Sequence, residues 1–332
     1  MHEILILTNV IFVHLFLTTF EVALPLDLPL VFVKEISPAF ARMTIIGLAI
    51  RFVCALLLGR GIRFLESIAS VKWAVETFRL IVSASLGLYC YLHLKIFIPL
   101  VTSRVSDQFL WDLDRLLFGG LSPNVFFLNV FGDPKALFVV DWTYHHVFRM
   151  FLYGILILGF SSPVNRVRIA LVGAKTLMWI VGAWSYYVFP SMGPAYRFAD
   201  VWSDSFQYMP LTRIWQARLL DSYQAILGLK EGVINPWYGI GAFPSLHVAL
   251  HVFCALIMRL YSRIAGVLGI VAAIIIFVGS IVSGWHYLVD SVAGVAIGIL
   301  FFMFLVRYYR YDRYTYHWRR EFVRPLERRW WP

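Results

Sequence analysis

Residues 264–284 read IAGVLGIVAAIIIFVGSIVSG and contain no charged side chain. A run of about 20 apolar residues is long enough to cross the hydrocarbon core of a bilayer as an α-helix. Similar runs recur along all 332 residues, of which 60% are hydrophobic and only 14% are charged. That composition lies far from the composition of a soluble domain. The sequence therefore predicts an all-α fold, a polytopic integral membrane helix bundle without a separate soluble domain.

About eight stretches are predicted to span the membrane. The first is interpreted as a retained helix, because it lacks the basic start and the small-residue cleavage site of a signal peptide. The predicted spans are 4–24, 43–60, 78–101, 136–160, 167–189, 245–261, 264–284 and 286–308. We expect an N-terminal pair of helices in residues 1–74, a six-helix core in 75–310 and a basic tail in 311–332.

The basic residues follow the pattern of a helical membrane protein, in which Lys and Arg concentrate in short cytoplasmic loops. Basic turns occur at alternate loops, namely at Arg60, Arg63 and Lys72, at Arg166 and Arg168, and at Arg259 and Arg263. We therefore expect cytoplasmic termini and two long outer loops, residues 102–135 and 190–244. The net charge of +10 reflects this topology, so no nucleic acid partner is expected. The tail is expected to bind anionic headgroups, and a protein partner is the alternative.

A first polar segment, residues 241–247, reads GAFPSLH and enters the sixth predicted helix from the outer side. Ser245 is the predicted N-cap of that helix, which places His247 in its first turn. Free backbone N–H groups at a helix start favour the binding of a phosphate. The segment is therefore a candidate phosphate site.

A second polar segment, residues 283–290, reads SGWHYLVD and opens the last predicted helix. His286 and Asp290 are four residues apart and are predicted to share a helix face. The carboxylate can then hold one imidazole nitrogen and leave the other as a nucleophile. The topology brings His286 to the same membrane level as His247.

These segments resemble the motifs of the type 2 phosphatidic acid phosphatase superfamily, and within it the inositol phosphorylceramide synthase-like branch. The likeness covers roughly residues 110–300. The stretches that carry it are PSLH at 244–247, HYLVD at 286–290 with Gly294, DRLLFG at 114–119, and PSMGPAYR at 190–197, where a first phosphate-binding motif is expected.

The resemblance implies a two-step transfer that needs neither metal nor cofactor. His286 would attack phosphorus to form a phosphohistidine, and Asp290 would orient it. His247 would protonate the leaving alcohol and then act as the base for the acceptor. The substrate-binding residues expected from the matching segments are Ser245, Arg197, Tyr196, Gly241 and Tyr287.

The chain departs from the superfamily pattern in its cations. An Arg shortly before the last motif is replaced by Gly279 and Ser280, and the Lys and Arg-Pro pair of the first motif is absent. Arg197 is the predicted replacement, because a guanidinium can bind phosphate oxygens in a bidentate manner. A solvated interface residue is the alternative. Lys175, in mid-span, is interpreted either as a substrate ligand or as half of a buried ion pair.

The fourth predicted helix carries several polar residues near its outer end. Asp141 and His145 share one face, and polar groups inside a bilayer usually have partners. We expect this pair to bind a polar headgroup or to support the catalytic histidines. A polar network that joins helices is the alternative.

The predicted function is that of a membrane phosphotransferase, which moves a phospho-head group from a phospholipid donor to a lipid or glycan hydroxyl. The alternative is a lipid phosphatase that acts on phosphatidate or a polyprenyl phosphate with water as acceptor. A transporter is disfavoured, because the polar groups concentrate at one face rather than along a path. We expect a bacterial plasma membrane location with the active site on the extracytoplasmic side.

Overall fold

The computed structural model describes residues 2–20, 22, 32–228 and 237–309. The predicted basic tail, residues 311–332, lies outside the described residues, as does part of the second long loop. The described part is helical and contains no strand, which confirms the all-α prediction. The division into domains and the sidedness of the termini stay predictions.

Fourteen α-helices form the described part of the chain, and eight of them coincide with the eight predicted spans. In chain order they are α1 (His2–Thr19), α2 (Ser37–Leu57), α3 (Gly61–Ile68), α4 (Val71–Ile96), α5 (Ile98–Val101), α6 (Asp107–Leu117), α7 (Pro123–Val130), α8 (Pro134–Phe160), α9 (Asn165–Ser185), α10 (Pro194–Arg197), α11 (Pro210–Leu227), α12 (Leu246–Tyr261), α13 (Arg263–Val282) and α14 (Leu288–Tyr309). A π-helical turn, Phe32–Ile36, precedes α2.

Several of these helices fit an integral membrane protein. Five are long and apolar enough to cross a bilayer by length and composition, namely Lys34–Leu57, Val71–Ile96, Asn165–Ser185, Arg263–Val282 and Leu288–Tyr308. Two shorter apolar helices are Glu3–Thr19 and Leu246–Tyr261. The remaining long helix, α8, has 27 residues and carries the polar cluster around Asp141.

Side-chain caps set several helix starts. Ser70 accepts a hydrogen bond from the Trp73 backbone N–H at 3.1 Å, so α4 begins seven residues before the predicted span at 78. The predicted span omits residues 71–77 because they include Lys72 and Glu76, although the Ser70 cap satisfies one of the free N–H groups at this helix start. Ser245 caps α12 by accepting from Val248 N at 3.3 Å, which confirms the predicted N-cap.

Helices α13 and α14 both pack closely against α12. A Cβ added to Gly269 of α13 would lie 2.7 Å from the Cα of Ala255, and one added to Gly294 of α14 would lie 2.4 Å from the Ser245 carbonyl oxygen. Small residues at such contacts allow helix backbones to approach each other. The close packing fixes the start of α12 against the start of α14. We call this end of the bundle the histidine end, because His247 and His286 lie there.

The N-terminal helices complete the bundle. Glu3 of α1 pairs with Arg79 of α4, and α2 crosses α8 at Gly47, where an added Cβ would lie 2.5 Å from Ser161 Oγ. Beside this crossing, Arg51 donates hydrogen bonds to Ser161 Oγ and to the Leu158 carbonyl, both at 3.0 Å. Helices α2 and α8 are therefore joined at the end of the bundle opposite the histidine end.

Candidate active site

The two motif histidines lie face to edge at the histidine end. His247 is in the first turn of α12, and His286 lies in the connection between α13 and α14. Their ring centroids are 5.4 Å apart, with an angle of 79° between the ring planes. The structure thus brings together two histidines that are 39 residues apart in sequence, as the alternating topology had predicted.

Asp290 lies behind His286, with Oδ2 at 3.4 Å from His286 Nδ1. This separation is longer than a usual N–H···O hydrogen bond, and contacts of this kind in active sites often tighten in the substrate complex. The same Oδ2 accepts the Tyr287 backbone N–H at 2.9 Å, which is half of a capping box at the start of α14. The prediction that both residues share a helix face is therefore wrong, because His286 precedes the helix that Asp290 caps.

Tyr144 of α8 holds the other histidine. Its hydroxyl is 2.8 Å from His247 Nδ1, and the tyrosine side chain is almost fully buried. A hydroxyl can donate or accept, so this contact is compatible with either neutral tautomer of His247 and leaves Nε2 available for proton transfer. Sequence reasoning missed Tyr144, because an aromatic residue on a helix is usually a packing residue.

Asp107, at the start of α6, supports the segment next to His286. Its carboxylate accepts the backbone N–H groups of Met192 at 3.0 Å and Gly193 at 2.8 Å, and also the Tyr287 hydroxyl at 2.8 Å. Burial raises the pKa of Asp107, while these three hydrogen bonds oppose the rise. Asp107 thereby ties the 190–197 segment to Tyr287, the residue that follows His286.

Asp114, about two turns further along α6, caps α14. It accepts the backbone N–H groups of Leu288 at 2.6 Å and Val289 at 2.9 Å. Burial raises the pKa of Asp114 to about 6, and the two N–H groups pull it down. The DRLLFG likeness noted in the sequence thus begins with a residue that positions the helix of Asp290.

The turn that carries His286 is also held through its carbonyl groups. Three buried side chains from the two predicted outer loops donate to it, namely Asn124, Trp202 and Gln216. The Asn124 amide donates to the carbonyls of Ile281 at 2.9 Å and His286 at 3.1 Å. Trp202 donates to the Val282 carbonyl at 2.8 Å, and Gln216 donates to the Ser283 carbonyl at 3.0 Å. Because each carbonyl has a fixed donor, the turn is held in one conformation.

A cavity of about 630 Å³ begins at the two histidines and runs into the bundle. On α8 its lining extends from Tyr144 to Leu156, twelve residues or about 18 Å along the helix axis. Its deeper wall is apolar and includes Phe40, Leu88, Phe148, Leu152, Leu156 and Leu250. Trp215, Trp237 and Tyr238 line it as well.

Three cations line this cavity, and no carboxylate does so among the described residues. Lys95, in the last turn of α4, has its ammonium 5.4 Å from the ring centroid of Tyr186, near both histidines. Arg149 and Lys175 line deeper parts of the wall. The cavity therefore favours an anion at its histidine end.

The predicted site residues divide into those that line the cavity and those that do not. Five of them line the cavity, namely His247, His286, Tyr196, Gly241 and His145. Ser245 is fully buried as the cap of α12, and Tyr287 directs its hydroxyl to Asp107. Arg197 is exposed and does not line the cavity, whereas Lys95, which sequence reasoning missed, does.

Asp141 belongs to a network that joins helices. Its carboxylate caps α11 by accepting Leu211 N and Thr212 N, both at 2.8 Å, and the Thr212 hydroxyl at 2.7 Å. His145 Nε2 lies 3.1 Å from the same hydroxyl and also faces the cavity. The geometry favours the network alternative for Asp141 and leaves His145 in contact with both the network and the cavity.

Among the described residues, no cluster of three or more His, Cys, Asp or Glu side chains could hold a metal ion. Metal independence stays a prediction of the sequence.

A family model described as the PAP2 superfamily matches residues 108–304, which is more than half of the chain. The chain therefore belongs to the PAP2 superfamily, whose members are generally phosphatase-like enzymes acting on phosphate esters. The matched range includes His247, His286 and Asp290, whereas α1, α2 and α4 precede it. No curated protein and no solved structure matches the chain.

Proposed function

We propose that the protein is a lipid phosphotransferase of the inositol phosphorylceramide synthase-like branch. It moves a phospho-head group from a phospholipid to the hydroxyl of a second lipid or a glycan through a phosphohistidine at His286. The observation that carries this proposal is the position of the His247–His286 pair at the end of a deep apolar cavity.

The cavity suits a ligand with an anionic head and an apolar tail. Its volume of about 630 Å³ lies in the usual range for ligand sites, and its wall away from the histidines is mostly apolar. Lys95 and the free N–H groups at the start of α12 would bind the phosphate oxygens. In this proposal the phosphorus lies beside His286 and the tail lies between α2, α4, α8 and α9.

In the first step, His286 Nε2 attacks phosphorus while the bond from phosphorus to the lipid oxygen breaks. His247 donates its Nε2 proton to that oxygen, so a neutral diacylglycerol-type alcohol leaves. Asp290, beside Nδ1, stabilises the positive charge that develops on the phosphorylated imidazole.

In the second step, His247 Nε2 removes the proton of the acceptor hydroxyl. The acceptor oxygen attacks phosphorus, the phosphorus–nitrogen bond breaks, and His286 is released. Tyr144 can support both roles of His247, since its hydroxyl accepts or donates at Nδ1.

The burial of His286 favours an alcohol over water as the acceptor. Only 5% of His286 is exposed, and Trp285, Trp237 and Tyr238 share the cavity with it. Exclusion of water protects a reactive intermediate from hydrolysis. The phosphatase alternative uses the same residues and differs only in the species that attacks the phosphohistidine.

The test uses purified protein in detergent and a phospholipid labelled both at phosphorus and in its head group. Transfer to an added lipid alcohol is expected to yield a new lipid that retains both labels. Attack by water would instead release the water-soluble head-group phosphate with both labels, which would support water as the acceptor, as in the phosphatase alternative. Absence of both products, with no effect of His286→Ala on cellular lipids, would overturn both enzyme assignments.

The cavity wall contributed by α2 offers a prediction on chain length. Met43 lines the cavity, whereas Ile46 is 49% exposed on the same helix and does not line it. Met43→Trp is expected to lower kcat/KM for a long-chain lipid roughly 10- to 100-fold, since overfilling a packed site costs about 1–3 kcal/mol. A short-chain analogue should be much less affected.

The matched control is Ile46→Trp, which adds the same side chain to the outer face of α2. Kinetics with a series of chain lengths check the result. An equal loss in both variants, or a loss that is independent of chain length, would show that the tail does not occupy this cavity.

A further inference from the structure

Lys175 of α9 is a buried cation that the catalytic steps do not use. Its residue is 2% exposed, and its side chain lines the cavity. Between residues 2 and 309, in the parts that the structure describes, no hydrogen bond or ion pair to its ammonium is present. The ion-pair interpretation therefore has no partner among these residues.

Among the described residues around Lys175, none offers its ammonium an oxygen acceptor within hydrogen-bond distance. Its Nζ lies 4.5 Å from the ring centroid of Trp179, a cation–π contact. His251 and Cys254 of α12 are the titratable neighbours, and His251 directs its two ring nitrogens to the carbonyls of His247 and Val147. A cation–π contact recovers only part of the hydration that burial removes from an ammonium group.

The position of Lys175 along the cavity defines the part of a lipid that it faces. Trp179, over which the ammonium lies, precedes Tyr186 by seven residues, or about 10 Å along α9. Tyr186 lines the cavity at the histidine end, beside Gly241 and Lys95. The ammonium therefore lies roughly 10 Å deeper than the phosphate position.

We propose that Lys175 binds an acyl carbonyl oxygen of the lipid, and so selects acylated phospholipids over polyprenyl phosphates. In an ester- or amide-linked lipid with phosphorus at His286, the acyl carbonyls are the first acceptors beyond the phosphate. A polyprenyl phosphate carries only hydrocarbon at that depth. A ligand without a carbonyl would leave the buried ammonium of Lys175 without a hydrogen-bond acceptor, and such a ligand is expected to bind less tightly.

The inference rests on the proposed lipid function but not on the nature of the acceptor. It is tested by binding rather than turnover, in a His286→Ala background that cannot form the phosphoenzyme. The probes are dipalmitoyl phosphatidate, its dihexadecyl ether analogue, ceramide 1-phosphate and a polyprenyl phosphate. The ether analogue keeps the phosphate and the chains but lacks the carbonyls.

The ester is expected to bind about 10- to 100-fold more tightly than the ether, as a lost hydrogen bond to a charged group predicts. Ceramide 1-phosphate shows whether an amide carbonyl serves equally well. Lys175→Met should remove the preference for ester over ether. Lys95→Met is the matched control, because it should weaken all four probes and leave the ester-to-ether ratio unchanged.

Lys175→Gln keeps an N–H donor and is expected to retain part of the preference, which separates carbonyl binding from a loss of folding. The inference would be overturned if the ester and the ether bound equally tightly to the His286→Ala protein with Lys175 intact. It would also be overturned if the preference for the ester survived Lys175→Met. Tighter binding of the polyprenyl phosphate would overturn it too. If the preference is present while no labelled lipid product forms, the transferase assignment fails and the carbonyl subsite stands.

Discussion

Substitution His286→Ala is expected to abolish turnover, with a loss of at least about 10⁴-fold, because no other side chain can replace a covalent nucleophile. It should also abolish the covalent phosphoenzyme. The measurement is rapid quenching with phosphorus-labelled lipid, followed by detection of an acid-labile protein-bound label. Nδ1 of His286 lies 3.4 Å from Oδ2 of Asp290, and the ring centroids of His286 and His247 are 5.4 Å apart.

The control for this variant is His146→Ala. His146 is an exposed histidine of α8 that stacks on Trp142 and does not line the cavity. It should leave turnover and labelling unchanged. An acid-labile phosphoenzyme that persists in His286→Ala would assign the nucleophile to another residue.

Substitution His247→Gln is expected to lower kcat by about 10²- to 10⁴-fold, the usual contribution of a general acid or base. In the proposed mechanism His247 protonates the leaving alcohol, so a phosphodiester with an acidic aryl alcohol as leaving group should recover most of the rate of the first step. Quenched-flow labelling with the two donors separates that step from transfer to the acceptor. Equal losses with lipid and aryl donors would contradict the assignment of His247 as the acid.

Tyr144→Phe provides a graded companion to this prediction. Removal of the 2.8 Å contact to His247 Nδ1 is expected to lower kcat about 10-fold and to change the pH profile of kcat, with less effect on KM. Tyr153→Phe removes a hydroxyl that lines the same cavity and has no contact with His247, so it should leave the pH profile unchanged.

The sequence allowed the histidine pair to be placed correctly because helices in a membrane alternate in direction. Residues 245–247 and 283–286 each lie at the outer end of a span in the predicted topology, and the short turn between α12 and α13 leaves little freedom. The apolar runs in turn identified the eight helices that coincide with the predicted spans, whereas the 18-residue α11 was not predicted. Their ends were less certain, since the first turn of α4 contains charges that hydropathy excludes but a serine cap supports.

The remaining part of the site depends on helix rotation and on distant contacts. Tyr144 faces His247, 103 residues away, only because of the way α8 is turned. Lys95 and Arg197 are both basic residues near predicted outer helix ends, and sequence position alone does not distinguish the cation that lines a cavity from the one in solvent. The phosphate-binding role assigned to Arg197 therefore passes, in our proposal, to Lys95.

The two carboxylates of α6 also determine when the site is complete during synthesis of the chain. Asp107 and Asp114 emerge from the ribosome 174 to 180 residues before the Tyr287, Leu288 and Val289 groups that they accept. Until α14 enters the bilayer, the two acids lack these partners. Insertion of α14 thus brings the partners to α6 and sets Asp290 beside His286 in the same event, so the candidate site is assembled only after residues 107 to 290 have all been synthesised.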